Sequence, residues 1–214
     1  MPVTTFGESV RRTEDPRLIT GRGKYVDDIR LPGLSHMTFV RSPYAHANIT
    51  SIDTTAAANA PGVIAIFTGA DLQEQLGGLP VGWLLPDLKQ PKHPPLAFET
   101  VRYVGDAVAV VVADTPYQAT DAAELVEVDY EILPAIVNAE KATKDGAPEL
   151  HAEAPNNIGF DFSVGGGDWD EAIKDPDVII VKEEIINQRL IPNSMEARGV
   201  VADFDPGREN LTLY

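Results

Sequence analysis

Apolar positions along the chain fall into short extended runs more often than into long helical stripes. Met37 to Arg41 and Ala47 to Ile52 read as strands separated by Ser42-Pro43, because the residue before a proline is pushed out of the helical region. "TTAAANAPG" predicts a short helix with Thr54 or Thr55 as N-cap and Pro61-Gly62 as its stop, and "VIAIFTG" a buried strand. Val108 to Ala113 is apolar without interruption, which predicts a strand buried on both faces. Thr115-Pro116 supplies the N-cap and first-turn chemistry of a helix, and Ala119, Ala122, Ala123 and Val126 follow at helical spacing. Val126 to Ile132 then alternates, as a half-buried strand does, until Pro134. The strand-helix-strand runs of 47 to 68 and 108 to 132 predict β-α-β crossovers with helices on one side of a shared sheet.

The remainder is less regular. Residues 1 to 24 are polar and Arg-rich and predict an extended arm with turns at Gly21 and Gly23. Five prolines between Pro80 and Pro95, with Gly77, Gly78 and Gly82, predict a long surface excursion within 69 to 98. Trp83, Leu84 and Leu85 inside it are too apolar for an idle loop. They fit either a cover for a neighbouring domain or partner, or a local mini-core. From Val137 to Asn157 the chain turns polar and alanine-rich, the best boundary candidate. Ile158 to Val164 and Val178 to Ile186 read as strands of a second unit.

Composition narrows the classes. With 214 residues, 43% hydrophobic and 23% charged, the chain can bury a real core. A net charge of −16 disfavours nucleic acid and acidic membrane surfaces as partners, since affinity for either needs a basic patch. The absence of cysteine excludes disulfides, thiolate metal sites and iron–sulfur ligation by this chain. The amino terminus lacks the apolar core of a signal peptide, and no apolar run reaches the ~20 residues of a spanning helix. A soluble, cytoplasmic protein is expected.

Candidate chemistry is sparse. "SVGGGDWDEA" has the glycines of an anion loop but neither the Lys-Ser/Thr of a P-loop nor the G-x-G-x-x-G of a dinucleotide fold. Its acidic residues favour a turn and a helix capped by Asp168. His36, His46, His93 and His151 are scattered, without metal-ligand spacing, and read as separate structural or surface residues. Asp27-Asp28 and Glu183-Glu184 read as chance adjacency in an acidic chain. "NQRLIPNSMEARG", residues 187 to 199, packs an amide, two arginines, a carboxylate and a Pro-Asn turn between apolar runs, and Glu196 and Arg198 could pair there.

Several motifs in a fixed order carry a family resemblance. "VRRTEDPRLITGRGKYVDDIRLPGLSHMTFVRSPYAHANITSID", "APGVIAIFTGADL", "VRYVGDAVAVVVADTPYQATDAAELVEVDYEILPAIVN" and "GDWDEAIKDPDVIIVKEEIINQRLIPNSMEARGVVADFDP" resemble the opening of the molybdenum-binding large subunit of the xanthine dehydrogenase, aldehyde oxidase and carbon monoxide dehydrogenase family. Within it the pattern is most similar to the carbon monoxide dehydrogenase-like branch. The resemblance implies an α+β fold: an arm over residues 1 to 19, an α/β hammerhead domain over 20 to 138, a linker over 139 to 157, and the first β-rich portion of a molybdopterin-binding domain over 158 to 214.

It also implies oxidoreductase chemistry with oxygen drawn from water. The molybdenum cofactor, a molybdopterin cytosine dinucleotide, would be held mainly by residues this chain lacks. Iron–sulfur centres and FAD would sit on small and medium partner subunits. Xanthine-type members carry G-G-Q-x-H-x-Y-x-E in the strand matching 188 to 196. Placing their Glu on Glu196 puts Leu190 at the Gln position and Pro192 at the His position, so this sequence departs from the pattern at both. Gln188 would share the face of Leu190 on a β-strand and offer an amide. Gln188 and Leu190 are therefore the candidate pocket-wall residues, with no catalytic residue and no metal ligand assigned.

Three readings follow. The chain is part of a large subunit, catalytically incomplete alone and dependent on the remainder. Alternatively it is a scaffold or interaction protein that kept the hammerhead, or a small acidic binding module with the Trp83 excursion as a pocket lip. Exposed apolar area on 158 to 214 is expected under the first and absent under the second.

Overall fold

The computed structural model describes Gly7, Ser9 and residues 11–188 and 190–214. In chain order the elements are α1 (Asp15–Ile19), β1 (His36–Arg41), β2 (Ala47–Asp53), α2 (Thr55–Ala58), β3 (Val63–Thr68), α3 (Gly69–Leu72), β4 (Thr100–Val101), β5 (Ala107–Ala113), α4 (Pro116–Ala123), β6 (Glu127–Ile132), α5 (Ala139–Ala142), α6 (Trp169–Ala172), β7 (Ala202–Asp205) and β8 (Asn210–Leu213). The chain divides into two compact units, Leu34–Asp175 and Met1–Gly33 with Pro176–Tyr214. Among the described residues no helix is long and apolar enough to cross a membrane.

The larger unit holds two antiparallel three-stranded sheets, ordered β1-β5-β3 and β4-β2-β6. An α+β fold is therefore present. The shared sheet with parallel crossovers is not. β2 and β3 belong to different sheets, as do β5 and β6, so each intervening helix carries the chain from one sheet to the other. Periodicity reports which face a residue buries and says nothing about the strand beside it, so the two topologies share one pattern.

β5 earns its uninterrupted apolar run by position: it is central, and all of its residues but Val112 are buried. Thr115 caps α4 by accepting a hydrogen bond from the Gln118 backbone N–H at 3.3 Å, with Pro116 in the first turn, as the sequence predicts. Ala119 and Ala122 of α4 are fully buried. Val40, Ile52 and Val128 touch both main core clusters and so join the two sheets. The largest fully buried side chains are Val101, Val108 and Val111. A core of valine and alanine lets the layers approach closely and leaves little room for added volume.

Other expectations fail locally. The arm is not extended throughout, because Asp15-Pro16 opens α1, where proline's fixed φ suits the first turn. Gly21 is a turn residue at φ +70°. Ile158 to Val164 and Val178 to Ile186 form no strand. A β-prone run becomes a strand only beside another, and neither finds a partner among the described residues.

In the smaller unit, β7 and β8 pair as a hairpin closed by Tyr214 N–H to the Val201 carbonyl at 2.9 Å. Its turn is held by Asp205 Oδ1, which accepts from Gly207 N–H at 2.9 Å and Arg208 N–H at 3.2 Å.

Candidate functional site

The turn between β4 and β5 is tightly tied. Asp106, almost fully buried, accepts the Arg102 N–H at 3.0 Å through Oδ2. Its own N–H reaches the Tyr103 carbonyl at 3.1 Å, and its carbonyl accepts from Ser42 N–H at 2.8 Å. Gly105 sits at φ +91°, which glycine alone tolerates without strain. Its carbonyl accepts from Arg41 Nη1 at 2.8 Å.

Arg102 reaches from this turn to a distant strap. Nε donates to the Leu150 carbonyl at 2.8 Å and Nη1 to the Thr100 carbonyl at 3.3 Å. Asn157 closes the strap on itself, donating from Nδ2 to the carbonyls of Ala142 (2.9 Å) and Pro148 (3.0 Å) while Oδ1 accepts from Leu150 N–H at 3.0 Å. Between turn and strap lies a cleft of about 510 Å³, lined among others by His93, Arg102, Tyr103, Asp106, His151 and Glu153.

Its electrostatics are mixed. His93 Nε2 and the Tyr103 hydroxyl lie 3.3 Å apart, with the rings edge to face at 5.7 Å. Burial, and then the Arg102 guanidinium, hold His151 below its ordinary range despite Glu153, so it is neutral at pH 7. Burial and then Asp106 raise Tyr103, so its phenol stays protonated. The lining holds Lys92 and Arg102 together with Glu99, Glu153 and Asp106, which leaves no surplus of positive charge for an anion. Thr100, the aliphatic hydroxyl of the lining, donates to Asn48 Oδ1 at 3.1 Å rather than to a base. The cleft can hydrogen-bond a polar surface, and its threonine hydroxyl is not paired with a base. Among the described residues no group of three His, Asp or Glu could hold a metal ion.

The structure brings His93 and His151 together, which their sequence separation hid. His46 is buried, its Nδ1 2.8 Å from the Pro134 carbonyl, and serves the fold. Asp168 caps α6 through Glu171 N–H at 3.0 Å, so the glycine-rich stretch is a turn and a capped helix. Arg102, Tyr103 and Asp106 escaped the sequence reading. Their one signal is a polar "VRYVGD" wedged before an apolar strand.

The 187 to 199 segment lies in the smaller unit, and its described residues are on irregular backbone. Gln188 and Leu190 are exposed, Leu190 at 85%, and the residue between them lies outside the described ones. Glu196 accepts the Val26 N–H at 2.9 Å through Oε1 and forms no ion pair with Arg198, correcting that expectation. A fixed backbone donor within the unit satisfies the carboxylate without the entropy cost of ordering an arginine.

Comparison with known proteins supplies the family. Residues 20–134 match the profile described as aldehyde oxidase and xanthine dehydrogenase, a/b hammerhead domain. The chain is 39% identical over 215 aligned positions to the nicotine 6-hydroxylase large subunit of Paenarthrobacter nicotinovorans, covering 100% of this chain and 26% of that protein. It is 37% identical to the carbon monoxide dehydrogenase large chain of Afipia carboxidovorans, covering 95% and 26% respectively. A crystal structure of the Cu,Mo-CO dehydrogenase in its carbon monoxide reduced state superposes with a TM-score of 0.55 at 45% identity, over 66% of this chain and 17% of that one. The chain thus spans about a quarter of the length of the curated relatives it matches. On these grounds the chain belongs to the aldehyde oxidase and xanthine dehydrogenase family, and it corresponds to one segment of that family's molybdenum hydroxylase large subunits.

Proposed function

We propose that this chain serves as part of the large subunit of a molybdenum hydroxylase and acts only with the remainder of that subunit. The observation that carries this is the apolar surface of 158 to 214, where Ile179, Ile185, Leu190, Ile191 and Met195 all face solvent. A self-sufficient scaffold protein would cover such residues, whereas a segment completed by another polypeptide leaves them open.

The residues present do not by themselves fit the cofactor. Gln188 and Leu190 stand on open backbone, and no trio of metal-binding side chains occurs among the described residues. In this reading the remainder holds the molybdopterin, in its cytosine dinucleotide form, and Gln188 and Leu190 contribute a wall of that pocket once it is assembled. Residues 20 to 138 act as the hammerhead domain, 139 to 157 as the linker and 158 to 214 as the start of the cofactor-binding domain. An iron–sulfur small subunit and an FAD medium subunit accept the electrons in a cytoplasmic complex.

The test is co-expression with the remaining large-subunit polypeptide, then gel filtration, molybdenum analysis and dye reduction. Co-elution with metal and activity is expected. A chain that stays monomeric and leaves the partner's metal content and activity unchanged overturns the proposal.

A further inference from the structure

The Pro-rich excursion resolves into an Ω-type loop. Its ends meet where the Leu79 N–H donates to the His93 carbonyl at 2.8 Å. Its far side is fastened by a turn from Leu88 N–H to the Leu85 carbonyl (3.1 Å) and by Lys89 N–H to the Gly159 carbonyl (2.7 Å). The apolar residues of the loop divide between two directions. Leu85 and Leu88 are half-buried. Trp83 and Leu84 face outward, 70% and 66% exposed, with Leu79 and Val81 also exposed beside them.

Leu79, Val81, Trp83 and Leu84 thus expose four large apolar side chains within one short stretch. The chain carries a net charge of −16, yet from Leu76 to Pro86 it has no charged residue at all. Prolines at 80, 86 and 91 stiffen the loop, so ordering it on a partner costs little further entropy. A rigid, uncharged, tryptophan-bearing projection has the composition of a permanent, apolar interface and not of a transient polar one.

We infer that the Trp83 loop is a docking plug that inserts Trp83 and Leu84 into an apolar pocket on the remainder of the large subunit. This rests on the proposed function. A second copy of this chain is the weaker occupant, because two bodies of charge −16 repel each other. The subunit remainder is the stronger one. The chain covers only 26% of its relatives' length, and segments of one subunit form the obligate, apolar class of contact that the plug fits.

The chain has two tryptophans, so Trp169→Phe leaves Trp83 as the sole intrinsic reporter within it. The experiment assembles this variant, carrying 5-fluorotryptophan, with the unlabelled remainder of the large subunit, and follows the fluorine resonance and its solvent exposure. A parallel sample carries Trp83→Ser with Leu84→Ser, surface changes that leave the fold intact by circular dichroism. The expected result is a resonance that loses solvent contact on assembly, together with about tenfold or greater weakening of association in the double variant. A complex that forms and loads molybdenum while Trp83 stays solvent-exposed overturns the plug but leaves the proposed function standing. Protection that appears only when the iron–sulfur or flavin subunit is added, or when the chain associates with itself, also overturns it. Failure of the wild-type chain to assemble at all overturns both.

Discussion

Gly69→Ala tests how closely the backbone layers of the larger unit approach. Gly69 opens α3, and a Cβ built there would lie 2.4 Å from the Ala97 carbonyl oxygen, 2.7 Å from its carbonyl carbon and 2.8 Å from Phe98 Cβ. The obstruction is main chain, and it cannot swing aside as a side chain would. Ala97 is itself fixed, because its N–H donates to the Ala107 carbonyl at 2.7 Å at the start of β5. Relieving the contact requires a shift of about 1 Å in a buried segment, an overpacking cost of about 1–3 kcal/mol. Alanine returns up to about 1 kcal/mol by restricting the unfolded chain. Against Gly77→Ala, which gains the same restriction of the unfolded chain, the expectation is a loss of about 1–3 kcal/mol, read as a urea midpoint lower by roughly 0.5–1.5 M at an m of about 2 kcal/mol/M. Gly77→Ala is the control, since its Cβ would meet nothing within 4 Å. If Gly69→Ala unfolds at the same midpoint as Gly77→Ala, with the same m, the close approach is not a constraint on this fold and the reasoning fails.

Thr115→Ala removes the cap of α4 and should cost about 1 kcal/mol by denaturant titration, with no change in the far-UV spectrum. Asp106→Ala strips the acceptor from the Arg102 N–H in a buried turn and should cost about 1–3 kcal/mol, with faster amide exchange at 102 to 106. His151 has a folded pKa below its unfolded value, so the stability it confers is present above about pH 6.5 and lost as pH falls through the folded value. His151→Gln should therefore flatten the acid limb of the stability curve below about pH 6.5, and an unchanged limb would remove His151 from the linkage.

The strands of the larger unit were legible because each is a local property. β1, β2, β3, β5 and β6 stand where alternation or unbroken apolar runs predicted them, and Thr115-Pro116 announced α4 in advance. Their partners were illegible. Register and sheet membership depend on residues far apart, such as His36 opposite Ala113, and a pattern of periods holds no such information. Val178 to Ile186 failed for a related reason: its valines and isoleucines favour a sheet, but preference alone does not supply the neighbouring strand. The β7–β8 hairpin carried its own signal in Asp205-Pro206-Gly207, a turn sequence between short apolar runs.

The sites divide along the same line. The cleft draws on Lys92 and His93, on 102 to 106 and on His151 and Glu153, three separate stretches joined by Arg102 reaching the Leu150 carbonyl. No spacing rule links them, so only the fold could bring them together. The 187 to 199 segment is the reverse case, conspicuous in sequence and open in space. Burying a side chain such as Ile179, Ile185, Leu190, Ile191 or Met195 stabilises by roughly 1.5–3 kcal/mol each, and all five are exposed. Their sum is comparable to the whole stability of an ordinary domain, even after discounting for a partly collapsed unfolded chain. The smaller unit, tied within itself by the hairpin and the Val26–Glu196 hydrogen bond, thus has a large further stabilisation to gain from a cover. A segment with this much apolar surface is stabilised by whatever polypeptide covers it, which couples its stability to assembly.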